Sequence, residues 1–205
     1  MKLLYPLLFA LTLSACGGSD SDSQVPETPE TTPPVEPTEL VADICYVMST
    51  TMGDISLAID TTNTPITGAN FKRYVDEQFY DGTLFHRVVY QSVSQGGGFT
   101  TGLVSKPGFE AITLEDNVGL TNARGTIAMA RTTVADSATS QFYINALDNP
   151  QLDYSSGQRG YAVFGQVYDG MAEVVDQINM VSINSNSVPV TDIVINSVEE
   201  TSCPQ

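Results

Sequence analysis

Apolar residues alternate with polar ones at Ile44, Tyr46 and Met48, and again at Ile55, Leu57 and Ile59. Thr51-Met52-Gly53-Asp54 separates the two runs, so the pattern predicts a β-hairpin. Thr64-Pro65 then reads as a helix start, with Thr64 as N-cap and proline in the first turn. Ile66, Ala69, Tyr74 and Val75 repeat at near-helical spacing, and this helix is expected to end near Gln78. Short apolar runs follow at Leu84–Val89, Thr126–Ala130, Phe142–Ile144 and Tyr161–Val167. Met171–Ile178 predicts a second helix, and Val190–Val198 a last alternating strand. Many short strands with only two separated helices favour a closed antiparallel β-barrel capped by helices, because an open α/β sheet needs a helix between most strands.

Upstream of residue 43 the pattern is different. Lys2 precedes an apolar run from Leu3 to Leu13, too short to span a bilayer as a stable helix, and the run ends in Leu13-Ser14-Ala15-Cys16. This order resembles a bacterial lipoprotein signal, which implies removal of residues 1–15 and lipidation of Cys16. An ordinary signal peptide with a chance cysteine, or a buried N-terminal helix, is the plainer alternative. Gly17 stands where an inner-membrane retention signal carries Asp, so the expected location is the outer membrane, facing the periplasm. Residues 16–42 hold Pro26, Pro29, Pro33, Pro34 and Pro37 among Thr and Glu, with little apolar surface to bury. They are expected to form an extended spacer of about 3.1 Å per residue. The globular domain is then 43–205. Cys45 lies in its first strand and Cys203 just past its last, placing a disulfide beside the alternative of two unpaired thiols.

Charge narrows the function. The 205 residues carry 24 acidic and 8 basic side chains and one histidine, a net charge of -16. So negative a surface argues against nucleic-acid partners and against electrostatic attachment to anionic lipid. Three cysteines and one histidine do not make a conventional zinc site without carboxylates, and any histidine chemistry runs through His86. The chain has no Gly-x-Ser-x-Gly elbow for a hydrolase, and Gly96-Gly97-Gly98 lacks the rest of either phosphate-binding fingerprint.

The chemistry-bearing stretches are Phe85-His86-Arg87, then Gln95-Gly96-Gly97-Gly98-Phe99, then Ser140-Gln141-Phe142-Tyr143-Ile144 and Tyr161-Ala162-Val163-Phe164-Gly165. In this order and spacing they resemble the cyclophilin family of peptidyl-prolyl cis-trans isomerases, particularly its bacterial periplasmic branch. The resemblance implies an eight-stranded antiparallel barrel capped by two helices. It assigns Arg87, with His86 and Gln95, to catalysis. Gln141, Tyr143, Leu152, Tyr161, Ala130 and Arg131 would hold substrate, together with Ser92 and Val93. His86 would line the cleft. No cofactor or metal is implied, and the partners would be proline-containing or unfolded exported polypeptides; nothing resembles a coiled coil, and the chain is expected to be a monomer.

Elementary chemistry explains the arginine. Amide resonance gives the X–Pro bond a rotation barrier of about 18–20 kcal/mol. Twisting localises the lone pair on the prolyl nitrogen, so a guanidinium donating there binds the twisted state better than either planar one, and only such differential binding accelerates the step. The chain also departs from the family. Tyr90-Gln91-Ser92-Val93 stands where Pro-Gly-Phe-Met is usual, Gln151 where a Trp or Phe is usual, and Tyr143 where Phe is usual. Loss of an aromatic wall at Ser92 is expected to weaken substrate binding by about 1–3 kcal/mol and argues against tight cyclosporin binding. A binding module or chaperone without turnover is therefore the alternative, and a structural lipoprotein leaves Arg87, Gln95 and Gln141 unexplained.

Overall fold

A computed structural model describes residues 37–204. The signal segment, Cys16 and the linker up to residue 36 lie outside the described residues. Within them the strands β1 (Ile44–Thr50), β2 (Gly53–Ile59), β3 (Thr83–Val89), β4 (Val93–Thr100), β5 (Val104–Ser105), β6 (Thr126–Met129), β7 (Phe142–Asn145), β8 (Val163–Asp169) and β9 (Ile195–Thr201) form one antiparallel sheet. Eight of them follow the order β3-β4-β7-β6-β8-β2-β1-β9, and short β5 pairs with β4. The two ends of this path meet: Leu84 bridges Val194, Gly82 N–H donates to the Ile195 carbonyl, and Phe85 N–H donates to that of Ile193. The curled sheet is the expected eight-stranded architecture with two helices.

The predicted hairpin is present in register, with Ile44 opposite Ile59 and Thr50 opposite Gly53. Helix α1 spans Pro65–Asp76, and its period is as expected but its phase is not. The buried face is Thr67, Asn70, Phe71, Tyr74 and Val75, whereas Ile66 is 43% exposed. Polar Thr67 and Asn70 enter the interior because each finds a partner there, Thr67 Oγ1 on the Glu115 carboxylate and Asn70 Nδ2 on the Thr139 carbonyl. Thr64 occupies the N-cap position but its hydroxyl donates back to the Asp60 carbonyl. Glu115, distant in sequence, accepts the free amides of Ile66 and Thr67 instead, a placement the positive end of the helix dipole favours.

The second helix is a π-helical turn, Met171–Val175, running into a short α2, Asp176–Asn179. Val174, Val175 and Ile178 from it, with Phe71, Tyr74 and Val75 from α1, plug the barrel interior among Tyr46, Leu57, Phe85, Phe142, Ile144 and Phe164. Phe71 stands at the centre of the aromatic cluster, within 5.2–6.1 Å of Tyr46, Tyr80, Phe142 and Phe164.

Three boundaries differ from expectation. The last strand starts at Ile195, not Val190, which is 69% exposed. The glycine-rich run 93–100 is a strand that apolar patterning does not reveal, because its core-facing positions include glycines packed against rings. The globular part also begins before 43. Thr38 N–H and Oγ1 bind the carbonyls of Gly119 and Val118, Val41 N–H binds Asp60, and Leu40 packs beneath the sheet's outer face. The Cys45–Cys203 disulfide is formed, closing a span of 158 residues at a Cα separation of 5.1 Å.

Candidate functional site

Strands β4, β7, β6 and β8 have two faces. One points into the barrel; the other carries a second apolar cluster of Val93, Ala128, Tyr143 and Val163, joined by partly buried Val89, Ala130, Leu152 and Tyr161. This outer cluster is the bed of a groove of about 380 Å³. Across the neighbouring strands Arg87 lies opposite Gln95, and Gln95 opposite Tyr143, so the three side chains stand in one row on that face.

Arg87 reaches the groove through an irregularity. Phe85 points into the core, so strict alternation would bury Arg87 as well. Between Phe85 and Arg87, β3 advances two residues while β4 advances one, from Gly96 to Gln95. The bulge centred on His86 turns Arg87 to the outside. Its Nη1 donates to Gln95 Oε1 at 3.2 Å, and Gln95 Nε2 donates to Gln141 Oε1 at 2.9 Å. Gln141 lies over Gly98, where a Cβ would collide with its side chain, so the third glycine of Gly96-Gly97-Gly98 makes room for the amide. Gly97 needs its freedom for a different reason: its φ is +82° and a Cβ would sit 2.8 Å from Tyr80.

The expected site residues are gathered here with one exception. Arg87, Ser92, Val93, Gln95, Ala130, Arg131, Tyr143, Leu152 and Tyr161 line the groove, and Gln141 joins them through Gln95. His86 does not line it. It is 8% exposed, packed against Phe99 with ring centroids 4.6 Å apart, and sits behind Gln141. Burial pushes its imidazole below the ordinary 6.5, against the opposing pull of the Leu84 carbonyl and Gln141. His86 therefore lies behind the groove floor, buried against Phe99. The linkage has a definite sign: a base whose pKa is depressed on folding is protonated more readily when unfolded. Stability from His86 is complete above about pH 6.5 and declines as pH falls through that value. Urea unfolding midpoints measured from pH 7.5 to 5.0 are expected to drop for the native chain, and His86→Gln removes that slope.

The groove's far wall is held by amides that sequence patterning does not single out. Asn149, 3% exposed, accepts from Ser92 Oγ (2.9 Å) and Gln151 Nε2 (3.0 Å) and donates to Asn145 Oδ1 (2.8 Å). Asn122 accepts the Tyr143 hydroxyl at 2.6 Å and donates to the Leu152 carbonyl. The extra hydroxyl of Tyr143 is thus spent on the protein, and burial holds its pKa above the usual value. Ser92 closes against Asn149 at the place where the family's aromatic wall is missing, which adds a polar edge beside the apolar bed. Gln151 is exposed at the rim.

Arg131 is fixed from several sides. Nε, Nη1 and Nη2 donate to the carbonyls of Gly160, Thr132 and Arg159 at 2.8–2.9 Å, and the guanidinium lies 4.7 Å from the Tyr161 ring centroid.

The family model described as "Cyclophilin type peptidyl-prolyl cis-trans isomerase/CLD" matches residues 45–200, nearly all of the strand system just described. The chain belongs to the cyclophilin family. Among curated proteins it is 45% identical over 155 residues to peptidyl-prolyl cis-trans isomerase A of Dickeya dadantii, covering 74% of this chain and 81% of that one. It is 44% identical over 156 residues to peptidyl-prolyl cis-trans isomerase B of Escherichia coli, covering 73% and 94%. A crystal structure of a Cryptosporidium parvum cyclophilin type isomerase superposes with a TM-score of 0.69 at 24% identity, covering 78% of this chain and 99% of that one, and speaks to the fold. This cyclophilin is accordingly a peptidyl-prolyl cis-trans isomerase.

Proposed function

We propose that this cyclophilin accelerates X–Pro rotation in exported polypeptides by a non-covalent mechanism centred on Arg87. The observation that carries the reading is the chain Arg87–Gln95–Gln141 laid along an apolar-bedded groove. The proline ring takes the apolar bed of Val93, Tyr143 and Leu152, and the amides of Gln95 and Gln141 hold the flanking peptide. As the bond twists and the carbonyl conjugation is lost, the Arg87 guanidinium donates to the pyramidal prolyl nitrogen. Gln95 Oε1 keeps the guanidinium aimed, which limits reorganisation during the step. No bond to the protein forms or breaks. The polar edge at Ser92 weakens the grip on the ring, so the expected signature is a raised KM with turnover retained. The deciding experiment is a prolyl-isomerisation assay of the native chain against Arg87→Ala.

The reading extends to location. The lipoprotein-like segment ending in Cys16 supports a monomeric enzyme tethered by lipid in the envelope, with the outer membrane as its site. The Cys45–Cys203 bond supports an oxidising compartment, since thiols are kept reduced in the cytosol. Fractionation tests this: the native chain is expected with membranes and Cys16→Ala in the soluble envelope fraction, and equal membrane association of both refutes the lipid anchor.

A further inference from the structure

Setting aside Lys2 and the six acids of the linker, the domain has 18 acidic and seven basic side chains, a net of -11. Three of those seven cations are paired with carboxylates: Lys72 with Asp76 and Glu200, Arg124 with Asp176, and Arg159 with Asp116. Arg73 lies over the Phe109 ring, and Lys106 donates to the carbonyls of Phe79 and Asp81. The remaining two, Arg87 and Arg131, both line the groove, and among the described residues no carboxylate lines it with them. Asp153, on the loop that follows Leu152, is engaged by the backbone and side-chain amides of Asn122.

Arg87 has its role in the reaction. Arg131 is different: three backbone carbonyls and a ring face orient it, yet none of these partners carries a formal charge. Its support is itself anchored. Asp116, 4% exposed, accepts from Arg159 Nε and Nη2 and from Gly160 N–H, fixing two of the three residues whose carbonyls hold Arg131. A buried carboxylate is thereby used to set the position of a guanidinium that it does not neutralise. The result is a held, uncompensated positive charge beside the proline bed, in a domain whose net charge is -11.

We infer that Arg131 makes this cyclophilin selective for proline bonds adjoined by an acidic side chain, Asp or Glu. This rests on the isomerase reading of the same groove and names its substrate class. Arg131 is the specificity residue; Asp116 is a positioning residue that acts through Arg159 and Gly160. The attraction acts across partly solvated distances of several Å, so its size is modest and salt-dependent.

The test uses the full chain and two peptide series differing only in the residue before or after proline, with Glu, Ala or Lys at that place. At low ionic strength kcat/KM for Glu over Lys is expected to be about tenfold in at least one series, which also identifies the side Arg131 reads. The ratio shrinks as salt rises. Arg131→Gln is expected to cut the ratio at least threefold whatever happens to the common rate, and Arg131→Lys to retain most of it. Ratios within twofold of unity in both series overturn the inference, as does a preference unaffected by salt or equally lost in the Gln and Lys variants. Calorimetric titration of the same peptides reads the ratio as affinity. If no peptide is turned over, the enzyme reading fails, while the affinity ratio still decides the acidic preference.

Discussion

Arg87→Ala is expected to lower kcat/KM for prolyl isomerisation by about 10²–10³-fold, the usual consequence of removing one preorganised donor aimed at charge that develops only in the transition state. The loss is expected in kcat as much as in kcat/KM. The planar amide nitrogen in the ground state has no localised lone pair to receive the guanidinium, so the interaction exists only in the twisted state. Arg87 is exposed on β3 and its side-chain partner is Gln95, so the substitution leaves the barrel interior untouched and folding stability nearly unchanged. Arg87→Lys keeps the charge but loses the planar fork that spans Gln95 and substrate, and its activity is expected between the two. The measurement is a steady-state assay on Ala-Pro peptides, with unfolding curves of each variant as the control. Equal background rates for native and Arg87→Ala chains leave a cyclophilin-like binding module as the surviving account.

This contrast also shows what the amino-acid pattern reveals and what it hides. The Phe-His-Arg, Gln-Gly-Gly-Gly and Ser-Gln-Phe blocks are dense in rare requirements: a cation, two amides and three small residues at set places. They point to the site before any coordinates do. The β1–β2 hairpin is legible because its alternation and its Gly53 turn agree. The family resemblance places His86 at the cleft with Arg87, but matching a motif along a strand does not decide which side of the sheet each residue occupies. The bulge that buries one and exposes the other depends on the register with β4, a non-local quantity. The phase of α1 is hidden for a similar reason. Thr67 and Asn70 are buried only because Glu115 and the Thr139 carbonyl come to meet them from loops far along the chain. The Asn122, Asn145 and Asn149 amides look like ordinary polar residues until Tyr143, Ser92 and Leu152 converge on them. Polar groups behind a binding surface carry no periodic signature, so their role follows from the folded geometry alone.

Loss of the Cys45–Cys203 bond is expected to cause a large fall in stability. In the chain-entropy view, a crosslink over 158 residues removes about 5 kcal/mol of freedom from the unfolded chain, and measured losses for native bridges run at about 2–5 kcal/mol. For a domain of this size that corresponds to a fall of roughly 5–20 °C in Tm. The position of the bridge sharpens the expectation. Cys45 lies opposite Thr201 on the β1–β9 ladder, and Cys203 follows just beyond the strand's end. β9 is also the strand whose N-terminal approach meets β3 to complete the curl, through the Gly82–Ile195, Leu84–Val194 and Phe85–Ile193 contacts. The bridge therefore holds the C-terminal end of the strand whose opposite end completes the sheet's curl. Cys45→Ala/Cys203→Ala with Cys16 retained, compared with the native chain by calorimetry with and without reductant, measures the effect. The double variant is expected to lose stability and to be insensitive to reductant, while the native chain falls to the variant's Tm on reduction. Isomerase activity well below that Tm should persist, because the groove is built on β3, β4, β7, β6 and β8 and draws no contact from either cysteine. An unchanged Tm in the double variant refutes the bridge as a stabilising staple. Activity lost while the fold remains intact instead ties β9 closure to the placement of Arg87 on its neighbour β3.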